Sequence, residues 1–163
     1  MRLSTRSRYG VRALFEIAHR SGGAPAQIKA IARRQGITPR YLEQIFQKLK
    51  RAGILRSIRG PRGGYFLTRR PEEIAVGDIL RAVEERIDLV FCGRPPGDRN
   101  SRCRREGQCP AQRVWAEAGR RLGEYLDSVS LAQLCGMARG MNPGKEGGSD
   151  AGNKEAGGKR KKS

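Results

Sequence analysis

The chain has 163 residues, enough for one or two small domains, and 37% of them are apolar. Its formal net charge is +18, and residues 1–70 alone carry 17 Lys and Arg against two Glu. This charge favours a polyanion as partner, whereas no apolar run approaches the roughly 18 residues of a membrane span. No helix joins a basic face to a broad aromatic and leucine face, so no membrane partner is expected. The first residues have no apolar core or cleavage site, and we expect a cytoplasmic protein whose thiols are free or metal-bound.

Residues 5–52 are predicted to form three helices. The first covers roughly residues 5–20, and the second is expected to begin at Pro25 and end at Gly36. The third follows Thr38, a good N-cap, with Pro39 in the first helical position and Gly53 at its end. Apolar residues at helical spacing give each helix one buried face: Val11, Leu14, Phe15 and Ala18; Ile28, Ile31 and Ala32; Leu42, Ile45, Phe46 and Leu49.

A two-stranded hairpin is predicted next, from Ile54 to Arg59 and from Tyr65 to Thr68, around the turn sequence GPRGG. Three helices and a hairpin in this order indicate a winged helix-turn-helix, the DNA-binding unit predicted for residues 1–70. The third helix and the hairpin present polar, mostly cationic residues away from the core: Arg40, Glu43, Gln44, Gln47, Lys48 and Arg51; Arg56, Arg59 and Arg62. The alternative is an ordinary solvated face. The expected fold class is therefore mainly α with a small β-hairpin, followed by a long helix.

The rest of the chain is divided by its pattern into four segments. Residues 71–90 are expected to form a connecting helix with an acidic first turn at Glu72 and Glu73. Residues 91–110 form a cysteine-rich loop, residues 111–138 a long helix and a short last helix to about Met137, and residues 139–163 a disordered basic tail. Ser130 and Gln133 match the capping box that opens the last helix. The predicted inner faces are Val76, Ile79, Leu80 and Val83 for the connecting helix, and Val114, Trp115, Ala118, Leu122, Tyr125, Leu126 and Val129 for the long helix.

The long helix has no later long helix to pack against. Its apolar stripe is therefore expected to pack on the same helix of a second subunit, giving a homodimer. The alternative is that it folds back on the connecting helix or the winged helix.

Three cysteines, Cys92, Cys103 and Cys109, lie in a segment with almost nothing to bury. Thiolates are soft ligands suited to zinc or an iron–sulfur cluster, and the neighbouring arginines favour the thiolate. Unrelated free cysteines and a thiol redox switch are the alternatives. Cys135, on the last helix, is more simply a small buried apolar residue.

Four stretches of the sequence point to a known family: MRLSTRSRYGVRAL, YLEQIFQKL, RGPRGGYFL and IAVGDILRAVEE. They resemble the Rrf-type family of winged-helix repressors, in particular its IscR-like iron–sulfur regulators. The resemblance covers residues 1–137. It implies a cytoplasmic homodimeric regulator on a double-stranded DNA operator, paired through the long helix. It also implies a cluster on Cys92, Cys103 and Cys109, with 2Fe–2S preferred over 4Fe–4S, and control of cluster assembly or related sulfur and redox genes. By the same resemblance Arg40, Glu43 and Gln44 meet base edges and Arg59 enters the minor groove, and we add Lys48 and Arg62 to the DNA-binding set.

The fourth cluster ligand departs from the family pattern. Gln112 stands where IscR-like members have a histidine, and Arg8 stands where some members have an aspartate. Gln112, Cys135, water and a group from the partner subunit are the candidates. The competing hypothesis is the same DNA-binding fold without a cluster, with the loop cysteines acting as a thiol redox switch or a zinc site.

An enzyme is not expected. The chain has one histidine, no nucleophile and base pair recognisable by spacing, and no phosphate-binding loop. We therefore expect no small-molecule substrate.

Overall fold

The computed structural model describes residues 3–22, 24–83 and 108–141. The helices are α1 (Thr5–Arg20), α2 (Ile28–Gln35), α3 (Pro39–Arg51), α4 (Val76–Ala82), α5 (Pro110–Ser128) and α6 (Leu131–Met141), with a 3-10 helix at Pro71–Glu73. Strands β1 (Leu55–Ile58) and β2 (Gly64–Leu67) pair antiparallel, with Leu55 opposite Leu67 and Ile58 opposite Gly64. The fold class is thus confirmed as mainly α with a small hairpin. No described helix is both long enough and apolar enough to cross a membrane.

The core of the N-terminal unit is formed by the apolar faces that the sequence predicts. The side chains of Leu14, Ile31 and Phe46 are fully buried. Ile79 of α4 and Leu131 of α6 join the same core, so the C-terminal helices pack onto it. Ser4 caps α1 by accepting the backbone N–H of Ser7 at 3.1 Å. The predicted bounds of the first helix are confirmed.

The second helix begins later than predicted, at Ile28 rather than Pro25. Ala26 is extended and pairs with Tyr65 of β2 through two backbone hydrogen bonds of 2.8 Å each. The segment therefore adds a one-residue bridge to the edge of the hairpin. Gly64 permits this approach, since a Cβ there would lie 2.7 Å from the carbonyl oxygen of Ala26.

Two further boundaries differ from the sequence prediction. Glu72 and Glu73 lie in the separate 3-10 helix and not in the first turn of α4, which begins at Val76 and ends at Ala82. The last helix continues to Met141, past the expected end near Met137 and into the predicted tail. Its capping box is confirmed, because the Ser130 N–H donates to Gln133 Oε1 at 2.7 Å and the Gln133 N–H to Ser130 Oγ at 3.2 Å. Residues 84–107 and 142–163, with most of the predicted cysteine loop and the tail, lie outside the described residues.

A buried carboxylate joins α1 to α2. Glu16 is only 4% exposed and accepts hydrogen bonds from Arg34 Nε and, at 2.8 Å, from Gln35 Nε2. A buried charge needs such partners because it has lost its water. The pair therefore fixes the helix that precedes the turn of the helix-turn-helix.

We expect Arg34→Ala to lower the free energy of unfolding by about 1–3 kcal/mol, because it leaves Glu16 buried with one donor fewer. Urea unfolding followed by circular dichroism measures this change. The control is Arg33→Ala at an exposed neighbouring position. We expect it to change the free energy of unfolding by no more than about 0.5 kcal/mol. Equal unfolding midpoints for the two variants would contradict the prediction.

Candidate nucleic-acid interface

Helix α3 has one buried and one exposed face. Its apolar side chains contribute to the core, so the opposite face is open to solvent. Arg40, Glu43 and Gln44 are exposed on that face, whereas Lys48 lies at its margin and is half-buried. All four DNA-binding residues predicted on this helix therefore lie on or beside one surface.

The turn before α3 sets the direction of this surface. Gly36 ends α2 with φ of 67°, a left-handed conformation that glycine adopts at little cost. The Ile37 N–H then donates to Ala32 O at 3.1 Å. Thr38 Oγ1 accepts the Tyr41 N–H at 3.2 Å and caps α3, as predicted. The turn thus holds the N-terminus of α3 outward, as in a helix-turn-helix.

The turn of the hairpin is shaped by glycine. Gly60 has φ of 114°, and the Gly63 N–H donates to Gly60 O at 2.9 Å. A Cβ at Gly63 would lie 2.3 Å from Ile58 O, so only glycine fits there. Arg59 and Arg62 flank this turn and are exposed.

The hairpin is fastened to the end of α3. Lys50 Nζ donates to Ser57 Oγ at 2.9 Å, and Thr68 Oγ1 donates to Gly53 O. Neither contact was foreseen from the sequence, because a serine in a strand or a threonine just after one gives no signal of its partner. Together they hold the helix and the hairpin as one surface.

Three arginines of this surface have no charged neighbour bound to them in the part of the chain that the structure describes. Among the described residues, Arg40, Arg59 and Arg62 have no ion pair or side-chain hydrogen bond. Two arginines of α5 differ, because Arg120 and Arg121 both bind Glu117 and hold its carboxyl pKa at about 2. The α3 and hairpin surface is therefore a positive field available to an external anion.

Glu43 is the one acidic residue of this surface, and it lies near the hairpin. The pKa of Tyr65 is raised, first by burial and then by the negative charge of Glu43. The Tyr65 ring packs edge-on against Phe46, with 4.7 Å between ring centroids. Glu43 is thus positioned where α3 meets β2, and within the described part of the chain it forms no ion pair.

Only one of the three predicted cluster ligands lies in the described residues. Cys109 is half-buried at the N-cap of α5, with Pro110 in the first helical position. The Gln112 N–H donates to Cys109 O at 3.1 Å. Cys92 and Cys103 lie outside the described residues, and the described ranges hold no group of three potential metal ligands. The structure therefore describes one of the three predicted ligands.

The fourth cysteine has a different environment. Cys135 is half-buried on α6, and its thiol pKa is raised, mainly by burial, with Glu72 adding to and Arg139 opposing the shift. A raised pKa disfavours the thiolate that binds metals. This agrees with its interpretation as a packed apolar residue.

The chain is similar to transcription regulators in sequence and in structure. The Rrf2 family model, described as an iron-dependent transcriptional regulator, matches residues 3–137. The HTH-type transcriptional regulator IscR of Aliivibrio salmonicida is 38% identical over 134 residues, 82% of this chain and 77% of that protein. The IscR of Sodalis glossinidius is 37% identical over 134 residues, 82% of this chain and 78% of that protein.

Two solved structures extend the comparison. T. potens IscR is 34% identical with a TM-score of 0.71, covering 90% of this chain and 94% of that one. CymR, the global cysteine regulator of B. subtilis, is 34% identical with a TM-score of 0.68, covering 84% of this chain and 98% of that one. These relatives are regulators and not enzymes, as the sequence predicted for this chain.

Proposed function

The chain belongs to the Rrf2 family and is a DNA-binding transcription regulator of the IscR type, and from this premise we propose that it is a cytoplasmic homodimer whose operator binding is controlled by an iron–sulfur cluster. The observation that carries the DNA part is the exposed polar face of α3 beside the hairpin, where Arg40, Arg59 and Arg62 have no partner among the described residues. The cluster would be held by Cys92, Cys103 and Cys109. The genes proposed to be controlled are those of iron–sulfur cluster assembly or related sulfur and redox functions.

The proposed base contacts follow from the side chains on the exposed face of α3. Arginine pairs bidentately with guanine, glutamine with adenine, and glutamate accepts from cytosine N4, which assigns roles to Arg40, Gln44 and Glu43. Arg59 would enter the minor groove from the hairpin, the wing of the fold. Lys48 and Arg62 would bind phosphates and contribute affinity without sequence preference.

The homodimer is supported by the surface of α5. None of its 19 residues is buried in the single chain, although it carries the predicted apolar stripe. Val114 and Tyr125 are each 62% exposed, and Trp115 is 45% exposed. Exposed apolar residues on one side of a helix mark an interaction surface. The occupant we propose is α5 of a second subunit, which places two α3 helices on two half-sites.

The donor set supports the cluster. Three thiolates are suited to iron–sulfur ligation, and Cys109 lies at the N-cap of the 19-residue helix α5. When bound, the cluster would supply sensitivity to iron supply or oxidants. Cys109 would then ligate the same cluster as Cys92 and Cys103, so that cluster occupancy would be coupled to the position of α5. We favour 2Fe–2S over 4Fe–4S on the resemblance to IscR.

Cys135 of the same subunit is a poor candidate for the fourth ligand. A 19-residue helix is about 28 Å long, and Cys109 lies at one end of it. The chain from Ser128 to Cys135 spans at most about 17 Å, because only two residues separate the two helices and about one helical turn follows. The two cysteine Cα atoms are therefore more than about 10 Å apart. Gln112, water and a group of the partner subunit stay as candidates.

The experiment that tests the proposal is anaerobic purification, with a visible spectrum, iron and sulfide counts per chain, and selection of binding sites from a random DNA duplex pool. We expect a brown protein that bleaches in air and that enriches a two-half-site sequence. A protein that is iron-free even after reconstitution but enriches a sequence would replace the cluster by a thiol switch or zinc site. A protein that enriches no sequence would contradict sequence-specific DNA binding.

We expect Glu43→Ala to broaden the set of sites bound. A carboxylate facing DNA is repelled by phosphates unless it meets a cytosine N4 donor, so it penalises sequences lacking that base. Titrations against the selected operator and its single-base variants measure this penalty. The control is Glu72→Ala, which removes the same charge from the exposed 3-10 helix. An equal loss of affinity on every sequence would contradict the role given to Glu43.

We expect Arg59→Ala to weaken operator binding by about 1–3 kcal/mol, the value of a good direct contact. The dissociation constant at fixed salt measures it, because phosphate affinity varies with salt. Arg20→Ala, at the exposed end of α1, is the charge-matched control. Unchanged affinity for Arg59→Ala would remove the wing from the interface.

A further inference from the structure

The end of α5 is joined to the start of α4 by backbone hydrogen bonds. The Val76 N–H donates to Val129 O at 2.9 Å, and the Leu131 N–H donates to Ile74 O at 2.9 Å. Ala75 and Ser130 thereby form an antiparallel bridge. The corner between α5 and α6 is thus tied to the segment that enters α4.

Side chains make a second connection close by. Arg81 of α4 forms a two-bond fork with Asp127 of α5, with Nη2 to Oδ1 at 2.8 Å and Nη1 to Oδ2 at 3.2 Å. Arg81 Nη2 also donates to Asp78 Oδ1 at 3.0 Å, and Asp78 forms an ion pair of 3.8 Å with Arg69. Arg69 follows the wing strand β2 almost directly. A chain of alternating charges therefore runs from the wing to the end of α5.

Gly77 explains how Asp127 comes so close to α4. A Cβ at Gly77 would lie 1.8 Å from Asp127 Oδ1 and 3.2 Å from Arg81 Nη1. Gly77 is the second residue of α4, and alanine is in general a better helix former than glycine. Glycine is therefore required at this position for steric reasons, because any side chain would push the Asp127 carboxylate away from Arg81.

We propose that Gly77, Arg81 and Asp127 form a joint that fixes the angle of α5 relative to the DNA-binding unit and so determines the half-site spacing that the dimer accepts. This inference rests on the proposed function, in which α5 is the dimer interface. None of the three residues lies on the α3 or wing surface. Their role is to position that surface, and they need not touch DNA.

The length of α5 makes the joint sensitive. A helix about 28 Å long that turns by about 10° at one end moves by about 5 Å at the other. Adding one base pair increases the separation of two half-sites by about 3.4 Å and rotates one relative to the other by about a tenth of a turn. The displacement from a small change at the joint is therefore comparable to the translation, though not to the rotation, of a one-base-pair change in spacing.

Substitution of a joint residue is expected to change the position of α5 more than the stability of the fold. Arg81 and Asp127 are about half exposed, and exposed ion pairs add little to the free energy of folding. The fork fixes the geometry of two planar groups, which a single-point contact does not do. Substitution of Asp127 should thus leave the fold and the isolated half-site affinity unchanged.

The test uses the full-length protein and the operator selected by the wild type. Binding is measured on that operator, on versions with one base pair added to or removed from the spacer, and on a single half-site. The variants are Gly77→Ala and Asp127→Asn. The matched controls are Gly136→Ala, where an added Cβ meets nothing within 4 Å, and Glu124→Gln, whose partner Arg120 lies on the same helix.

We expect the wild type and both controls to prefer the selected spacing by about tenfold, and both joint variants to lose most of that preference or move it by one base pair. Half-site affinity is expected to stay within about twofold. If Gly77→Ala does not fold, the spacing profile of Asp127→Asn alone tests the role of the joint. A wild-type spacing profile in Asp127→Asn would overturn the inference alone, and a wild type that enriches no sequence would overturn the proposed function on which it rests.

Discussion

Val114→Glu and Tyr125→Glu are each expected to convert the dimer to a monomer and to weaken operator binding by about 10²–10⁴-fold, the usual gain from two linked sites. Both side chains are 62% exposed in the single chain, so a charge there leaves the monomer's free energy of unfolding within about 0.5 kcal/mol. In a dimer the same charges would be buried without a partner, which is strongly unfavourable. Sedimentation velocity and operator titration measure the two effects.

The control for this prediction is Ala116→Glu. Ala116 is exposed on the same helix, on the side away from the apolar stripe, and its substitution adds the same charge. We expect this variant to stay dimeric and to bind the operator like the wild type. Dimeric Val114→Glu and Tyr125→Glu proteins with full operator affinity would show that α5 does not form the dimer interface.

Cys103→Ala and Cys109→Ala are each expected to abolish the visible absorption and to reduce iron to background after anaerobic purification. The chain lacks the histidine that serves as fourth ligand in IscR-like members, so three thiolates hold the cluster. The loss of one thiolate then leaves too few protein–iron bonds. Loss of iron is also expected to change which operators are bound. Iron and sulfide counts per chain, together with DNA titration, measure both.

Cys135→Ala is the matched control. It removes one thiol of the same chain, but from α6, where burial raises the thiol pKa and the distance from Cys109 is large. We expect it to keep the wild-type spectrum and iron content. A Cys135→Ala protein that loses its iron, or a Cys109→Ala protein that keeps it, would overturn the ligand set proposed here.

The N-terminal unit was predictable because its signals are local. Each signal depends only on neighbours within one or two helical turns. This holds for Thr38 as the N-cap of α3, for Gly36 at the end of α2 and for the apolar stripe of α3. The stripe residues then lie in the core where their spacing places them. The exposed positions of the predicted DNA-binding residues follow from the same periodicity, since the face opposite a buried stripe meets solvent.

The deviations arise where distant segments meet. Pro25 is a sound helix start by local rules, but Ala26 pairs with Tyr65, and hydrogen bonding to the hairpin outweighs propensity there. Glu16 has the pattern of a surface residue, yet Arg34 and Gln35 make its burial possible. The separate 3-10 helix and the longer α6 are likewise boundaries that no local pattern marked.

The sequence by itself therefore determined the winged-helix class, the buried faces and the exposed face on which the predicted DNA-binding residues lie, because helix periodicity and caps act over a few residues. Only the tertiary structure decided how the wing is fastened to α3 and how α5 is joined to α4. Those connections depend on Lys50 with Ser57, and on Arg81 with Asp127 beside Gly77. Such partners lie 7 and 46 positions apart in the chain, and they meet only when the core has brought their elements together.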